Sequence, residues 1–135
     1  MVERTKENEQ ENLIIHVVCW AGSDRSAYVA EELNKRGYFA THGGVILGHN
    51  YTTSEDLVGV GTVIFTDDNV RDEFKKDKRL TKQLRANNAT SLVLCITEEE
   101  KQIARQGGPE KMEELRQIIS SKLDLFGFGY KKMKY

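Results

Sequence analysis

The sequence predicts an α/β domain in which a mostly parallel sheet is covered by helices on both faces. Short apolar, β-branched runs alternate with helical patterns along the chain. The first of these runs has no regular polar alternation, which is typical of a parallel strand buried on both faces. The 135 residues have the length of one domain, and the chain contains neither an internal repeat nor an obvious linker. We therefore expect one folded unit with short tails.

The first strand and the first helix are the most clearly marked elements. Residues 13–19 read as a buried strand, and a helical pattern follows from about residue 25 until Gly37, a favoured helix-ending residue. The predicted apolar stripe of this helix comprises Ala27, Val29, Ala30 and Leu33. Its predicted solvent face comprises Glu31, Glu32, Lys35 and Arg36.

The remaining elements continue the alternation. Further strands are predicted over 38–47, 60–66 and 91–97, and Cys95 is expected to be a core thiol of the last one. Between the last two strands, apolar residues recur at helical spacing, namely Val70, Phe74, Leu80 and Leu84. The final helix is predicted from about Pro109, a favoured first-turn residue, to about Leu123.

The two ends of the chain have different compositions from the domain at 13–123. Residues 1–12 are charged and almost without apolar side chains, so we expect a flexible tail. Residues 124–135 are rich in aromatic residues, glycine and lysine. Because no long amphipathic helix accompanies this segment, we expect it to pack on the domain or on a second copy, not on a membrane. A homodimer is thus left open.

Charge and composition exclude several classes of protein. Twenty Lys and Arg against 21 Asp and Glu give a net charge of −1, which argues against a basic nucleic-acid-binding protein. No apolar run approaches the roughly 20 residues of a membrane span, and the charged N-terminus does not resemble a signal peptide. We therefore expect a cytoplasmic protein. Two cysteines are too few for a disulfide scaffold, and nothing in the sequence calls for a cofactor.

One motif carries chemistry, the segment CWAGSDRS at residues 19–26, between the first strand and the first helix. A loop that wraps over a helix N-terminus directs backbone N–H groups and the positive end of the helix dipole towards one point, where a phosphate dianion fits. The guanidinium of Arg25 can pair with two phosphate oxygens. The same positive field favours Cys19 as a thiolate nucleophile, which Ser26 can hydrogen-bond. Gly22 gives the loop backbone additional freedom.

This strand–CxxxxxRS–helix unit resembles the phosphate loop of low-molecular-weight protein tyrosine phosphatases, and the order of elements over residues 13–123 is also similar, though more weakly. The resemblance implies a three-layer fold with a four-stranded parallel sheet and flavodoxin-like winding. It implies hydrolysis of phosphomonoesters, above all protein tyrosine phosphate, through a cysteinyl-phosphate intermediate. Cys19 would be the nucleophile, Arg25 the phosphate clamp and Ser26 the partner of the thiolate. The implied phosphate cradle consists of the backbone amides of Trp20, Ala21, Gly22, Ser23, Asp24 and Arg25.

The loop departs from the family's pattern. Ala21 and Gly22 stand where the family usually has glycine and asparagine, and Asp24 replaces its second cysteine. A carboxylate beside a phosphate site is unfavourable unless it points away from the phosphate.

The general acid of the family, an aspartate followed by proline, is also missing, because the only proline is Pro109. In the predicted loop after the fourth strand, Glu98 is our candidate for protonating the leaving oxygen. Asp67 and Asp68, after the third strand, are its rivals.

Two other functions remain open. A domain that keeps the cradle but lacks the acid would be a catalytically weak or inactive module that binds phosphate or phosphotyrosine. The pattern Cys19-x-x-Gly22 before a helix also resembles the phosphocysteine loop of sugar-phosphotransferase IIB domains. Those loops do not require an arginine at the sixth position, so Arg25 favours the phosphatase. The expected partner is a phosphorylated protein or a small phosphomonoester.

Other conspicuous residues receive less specific interpretations. His16, His42 and His49 lack the compact spacing of a metal site, so no metal is predicted. The basic residues between 75 and 85 are expected to form a solvated helix face, with docking of an acidic or phosphorylated partner as the alternative. Trp20 and Tyr51 either line the substrate pocket or pack in the core.

Overall fold

The computed structural model describes residues 14–20, 25–46 and 50–130. Within these ranges the strands are β1 (Ile14–Cys19), β2 (Phe39–Gly44), β3 (Val60–Phe65) and β4 (Thr90–Val93). The helices are α1 (Arg25–Lys35), α2 (Asp68–Lys75), α3 (Lys78–Ala86), α4 (Glu98–Gln106) and α5 (Pro109–Leu125). None of these described helices is both long enough and apolar enough to cross a membrane.

The four strands form one parallel sheet in the order β2-β1-β3-β4. Helices cover both faces, so the predicted three-layer α/β fold with flavodoxin-like winding is confirmed. From β1 the chain passes to β2 on one side, and from β2 it crosses over β1 to β3 on the other side. Ligands of such sheets bind outside the carboxyl ends of the strands at this reversal. Cys19 is the last residue of β1 and lies at that position.

Two hydrophobic clusters fill the spaces between the sheet and the helices, as the alternation of side chains along each strand requires. Ile15 and Val17 of β1 contribute to the first cluster, and Val18 to the second. The first cluster is completed on the helix side by residues of α1 and α5, namely Val29, Ala30, Leu33, Leu115, Ile119 and Leu123. The second is completed by residues of α2 and α3, namely Val70, Phe74, Leu80 and Leu84.

The helical pattern predicted after β3 forms two helices, α2 and α3, because the side chain of Asp77 accepts a hydrogen bond from Arg79 N–H and starts the second one. The segment at 98–100, predicted as a loop, is the first turn of α4.

The prediction that Cys95 is a core thiol is wrong. Strand β4 ends at Val93, and Cys95 lies beyond it with an exposed side chain. Its φ of 61° places the backbone in the left-handed region, where β-strand alternation no longer applies. Leu94 and Ile96 on either side are both buried, so the kink turns the thiol outwards while its neighbours stay in the core.

The prediction that Arg36 faces solvent is also wrong. Only 2% of this residue is exposed, because the C-terminal end of α5 covers it. The guanidinium donates to Glu32 Oε2 at 2.8 Å, to Asp124 Oδ1 at 2.7 Å and to the carbonyl of Phe128 at 2.7 Å. Helix α5 runs two residues beyond its predicted end at Leu123.

Residues after α5 pack back onto the domain. The rings of Tyr38 and Phe128 meet edge to face with centroids 5.5 Å apart, and the Tyr38 hydroxyl donates to the carbonyl of Gly129 at 2.9 Å. The last residues of the predicted C-terminal tail, 131–135, and the N-terminal tail at 1–12 lie outside the described residues.

Candidate functional site

The candidate site lies at the junction of β1 and α1. Cys19 ends β1 with only 2% of its surface exposed, and α1 begins at Arg25. The apolar sequence of β1 holds the cysteine in the centre of the sheet, and the helix starts where the sequence predicts it. Four residues of the predicted phosphate cradle lie outside the described residues, namely Ala21, Gly22, Ser23 and Asp24.

The structure brings Cys19 and Ser26 together. The Sγ of Cys19 donates to the Oγ of Ser26 over 3.0 Å, and the serine is completely buried in the first turn of α1. When the thiol loses its proton, the same hydroxyl can rotate and donate to the sulfur. A buried hydroxyl at this distance is therefore suited to stabilising a thiolate, both as nucleophile and as leaving group.

Arg25 is half-buried at the N-terminus of α1. Its Nε atom is enclosed and has no hydrogen-bond partner in the described parts of the chain. Buried guanidinium N–H groups rarely remain unpaired, because leaving them so carries the full desolvation penalty. The first turn of α1 contains no carboxylate that would compete for an anion. The arrangement is electrostatically suited to bind an anion.

The three candidate acids are all engaged by cations. The side chain of Glu98 is 70% exposed on α4, where it accepts a hydrogen bond from Lys101 Nζ at 3.0 Å. Asp68, on α2, is 65% exposed and lies 3.1 Å from Arg71 Nη1.

Asp67 is the only one of the three candidates that is buried. One of its carboxylate oxygens accepts from Val70 N–H at 3.0 Å and caps α2, and the other lies 2.7 Å from Lys101 Nζ. The side chains of Asp67 and Lys101 are only 9% and 5% exposed. One oxygen of this carboxylate therefore caps α2, and the other connects it to α4.

Thr66 is a residue of this edge that the sequence interpretation missed. It follows β3 directly, is fully buried, and its hydroxyl has no hydrogen-bond partner within the described residues. The sequence does indicate this residue, because Thr66 is a polar residue directly after a buried parallel strand. The carboxyl ends of such strands meet at the ligand-binding edge of the sheet.

No protein-family model matches the chain, and no curated protein matches it by sequence. A similar solved structure is the lactose-specific IIB component domain of the phosphoenolpyruvate:carbohydrate phosphotransferase system from Streptococcus pneumoniae. It has 16% sequence identity and a TM-score of 0.49, over 88% of this chain and 98% of that chain. Such an identity does not assign a function.

His16 is a structural residue of the core. His16 is buried between two threonines, with Nδ1 2.7 Å from Thr41 Oγ1 and Nε2 3.0 Å from Thr52 Oγ1. Burial lowers the pKa of His16 to about 4, so the ring is neutral at pH 7. No cluster of three or more metal-binding side chains occurs among the described residues, and His49 lies outside them.

The two aromatic residues considered for the pocket contact other parts of the fold. The hydroxyl of Tyr51 donates to Asp77 Oδ2 at 2.7 Å, which fixes it against the start of α3 and lowers the pKa of that carboxyl. Trp20 packs against the second hydrophobic cluster, and its carbonyl accepts hydrogen bonds from the amides of Val45 and Ile46.

A basic groove of about 1020 Å³ lies between α2, α3 and the start of β4. Its cationic side chains are Lys75, Lys78, Lys82 and Arg85. Among the described residues, the lining of the groove includes none of the motif, namely Cys19, Trp20, Arg25 and Ser26. The docking of an acidic partner here stays a prediction.

Proposed function

We propose that this protein is a cysteine-dependent phosphatase that hydrolyses phosphomonoesters through a cysteinyl phosphate on Cys19. The observation that carries the proposal is the 3.0 Å contact between the buried thiol of Cys19 and the hydroxyl of Ser26 at the start of α1. The unpartnered Nε of Arg25 adds a cationic donor at the same helix terminus. Nucleophile, thiolate partner and anion clamp are thereby supplied within eight residues of sequence.

The reaction has two balanced steps. In the first, the thiolate of Cys19 attacks phosphorus, the S–P bond forms, and the P–O bond to the leaving group breaks with its electron pair moving to oxygen. Arg25 pairs with the phosphoryl oxygens as charge spreads over them. In the second step, water attacks phosphorus and the S–P bond breaks, which gives inorganic phosphate and restores the thiolate. The hydroxyl of Ser26 donates to the departing sulfur.

The preferred substrates follow from the state of the acids. Glu98 is exposed and paired with Lys101, and Asp67 is held in a buried ion pair. A leaving oxygen that receives little help from an acid must be a weak base, so aryl phosphates are favoured over alkyl phosphates. Tyrosine phosphate is the aryl phosphate of proteins, and phosphorylated proteins or small aryl phosphates are therefore the proposed substrates.

The test is hydrolysis of para-nitrophenyl phosphate at about pH 5 to 7, the range in which a carboxylic acid could still assist. The wild type is expected to release para-nitrophenol, and Cys19→Ser is expected to be inactive. Cys95→Ser is the matched control, because it removes the exposed cysteine and leaves the motif intact. Wild-type inactivity, or an active Cys19→Ser variant, would rule out the proposed phosphatase.

The ion pair of Asp67 with Lys101 favours a second candidate function. In it, the protein either binds phosphate without hydrolysis or carries it as phosphocysteine. Without a group to activate water, a phosphorylated Cys19 would persist. Mass spectrometry of the intact protein after exposure to a phosphoryl donor distinguishes the functions. A phosphatase turns over, a carrier retains one phosphoryl group on Cys19, and a binding module remains unmodified.

A further inference from the structure

The hydroxyl of Thr66 is an unusual group within this core. The residue has no exposed surface, and its Oγ1 has no hydrogen-bond partner in the described parts of the chain. The backbone of the same residue is fully used, since its N–H donates to the carbonyl of Val18 at 3.0 Å and its carbonyl accepts from Ile96 N–H at 2.8 Å. The position is therefore well ordered, and only the side-chain hydroxyl is left without a partner.

The register of β1 and β3 brings Thr66 next to Cys19 in sequence alignment across the sheet. Val17 pairs with Ile64, and Val18 pairs with Phe65, the last residue of β3. Continued by one residue, this register sets Thr66 opposite Cys19, and neighbouring strands lie about 4.8 Å apart.

The alternation of side chains also directs both residues to the same face of the sheet. Val17 and Ile64 belong to the first hydrophobic cluster, whereas Val18 and Phe65 belong to the second. Because side chains alternate along a strand, the following pair returns to the face covered by α1. The contact of Cys19 with Ser26 of α1 agrees with this direction.

The hydroxyl of Thr66 does not stabilise the folded protein. A buried hydroxyl without a partner destabilises a protein, and valine has nearly the same shape without this penalty. Buried polar groups that lack partners are often completed by a ligand. The other orphaned donor considered above, Arg25 Nε, lies at the N-terminus of α1, which starts beside the same end of β1.

We infer that Thr66 is a further phosphate-binding residue of the Cys19 site, whose hydroxyl donates to an oxygen of the bound phosphoryl group. The inference rests on the proposed function for the identity of the ligand. A tetrahedral oxyanion on Cys19 would then be bound from α1 by Arg25 and from β3 by Thr66. No bond is made or broken by Thr66.

The test compares Thr66→Val and Thr66→Ser with wild type in two measurements, the affinity for inorganic phosphate and the melting temperature. Thr66→Val is expected to weaken phosphate binding at least tenfold and to raise the melting temperature by a few degrees, about the shift that 1 kcal/mol gives in a domain of this size. Thr66→Ser keeps a hydroxyl and is expected to stay within about threefold of wild-type affinity. Thr62→Val is the matched control on the same strand and face, with no expected effect on binding.

The outcomes separate the inference from the proposed function. If the wild type binds phosphate and Thr66→Val binds it equally well, the inference is overturned and the phosphatase proposal is unaffected. If the wild type binds phosphate but hydrolyses nothing, the phosphatase proposal fails, and a weakened Thr66→Val still supports the role of Thr66. If the wild type does not bind phosphate at all, both are overturned. A Thr66→Val variant that loses binding together with its stability also contradicts the inference, because it assigns the hydroxyl to the fold.

Discussion

Asp67 and Lys101 form an ion pair of 2.7 Å in which both side chains are almost completely enclosed. The pair connects the end of β3 to α4 and lies one residue beyond Thr66. Burial acts to lower the pKa of Lys101, but hydrogen bonds to Asp67 and Glu98 outweigh it and raise the pKa above its ordinary value. The lysine therefore stays charged. The ion pair thus anchors the only one of the three acid candidates that is buried.

We predict that Lys101→Met destabilises the protein by about 3–5 kcal/mol, the usual effect of leaving one member of a buried pair without its partner. Asp67 would then retain its cap on α2 but hold an uncompensated negative charge. Urea unfolding followed by circular dichroism measures the change. Lys111→Met is the control, because its pair with Glu114 is half exposed at 3.5 Å, and its expected effect is below about 1 kcal/mol. Equal effects of the two variants would contradict the structural role of the buried pair.

A second prediction concerns Ser26. Removing its hydroxyl with Ser26→Ala is expected to lower the rate of phosphoryl transfer to Cys19 by ten- to a hundredfold, because a hydrogen bond to a charged group contributes about 1.5–3 kcal/mol. Single-turnover kinetics with para-nitrophenyl phosphate isolate this step. Ser91→Ala, at an exposed position of β4, is the control and is expected to be unchanged. A Ser26→Ala variant with the wild-type rate would show that the contact has no catalytic consequence.

The sequence was sufficient to predict the fold class and the contact between Cys19 and Ser26, because both depend on local patterns. A β-branched run followed by a helical stripe determines where the strand ends and where the helix begins. The seven-residue separation of Cys19 and Ser26 then brings them together across one turn of chain. No knowledge of distant residues is needed for this part of the site.

Two of the differences from the sequence-based expectation involve distant parts of the chain, and the one at Cys95 is local. The burial of Arg36 depends on α5, some 88 residues further along. Thr66 becomes part of the candidate site only through its register with β1, which the sequence does not specify. Cys95 looked like a core residue because a left-handed backbone conformation at a single residue interrupts the alternation without leaving a glycine or proline as a signal.

Arg36 provides the third prediction. Its guanidinium joins Glu32, Asp124, Ser120 and the carbonyl of Phe128, an arrangement that needs the planar fork of arginine. Arg36→Lys is expected to destabilise the protein by about 1–3 kcal/mol, since a lysine cannot reach all of these acceptors. Urea unfolding measures it, with Lys35→Arg, on the exposed side of α1, as the control. An unchanged free energy of unfolding for Arg36→Lys would contradict the need for the fork.

Gly43 gives the fourth prediction. A Cβ at this position would overlap with Thr52 Oγ1 and lie 3.0 Å from His16 Nε2, so Gly43→Ala is expected to push the threonine and histidine apart. Overpacking of this kind typically destabilises by about 1–3 kcal/mol. Gly129→Ala is the control, because no atom lies within 4 Å of its Cβ position. Equal melting temperatures for Gly43→Ala and wild type would show that the pocket around His16 is not tightly packed.

The fifth prediction is that the free energy of unfolding falls on acidification because of His16. Desolvation by burial is the main cause that lowers its pKa from 6.5 to about 4, with His42 adding to the effect and Asp56 opposing it. Between these two values the unfolded chain binds a proton that the native protein does not, so the free energy of unfolding falls as the pH decreases from about 6.5 to about 4. The full effect is about 3 kcal/mol, and it is absent above pH 6.5. Urea unfolding across this pH range gives the free energy of unfolding of wild type and of His16→Gln as a function of pH. The difference between the two pH dependences reports His16 alone, because both proteins contain the same carboxylates. Parallel curves for wild type and His16→Gln would contradict the prediction.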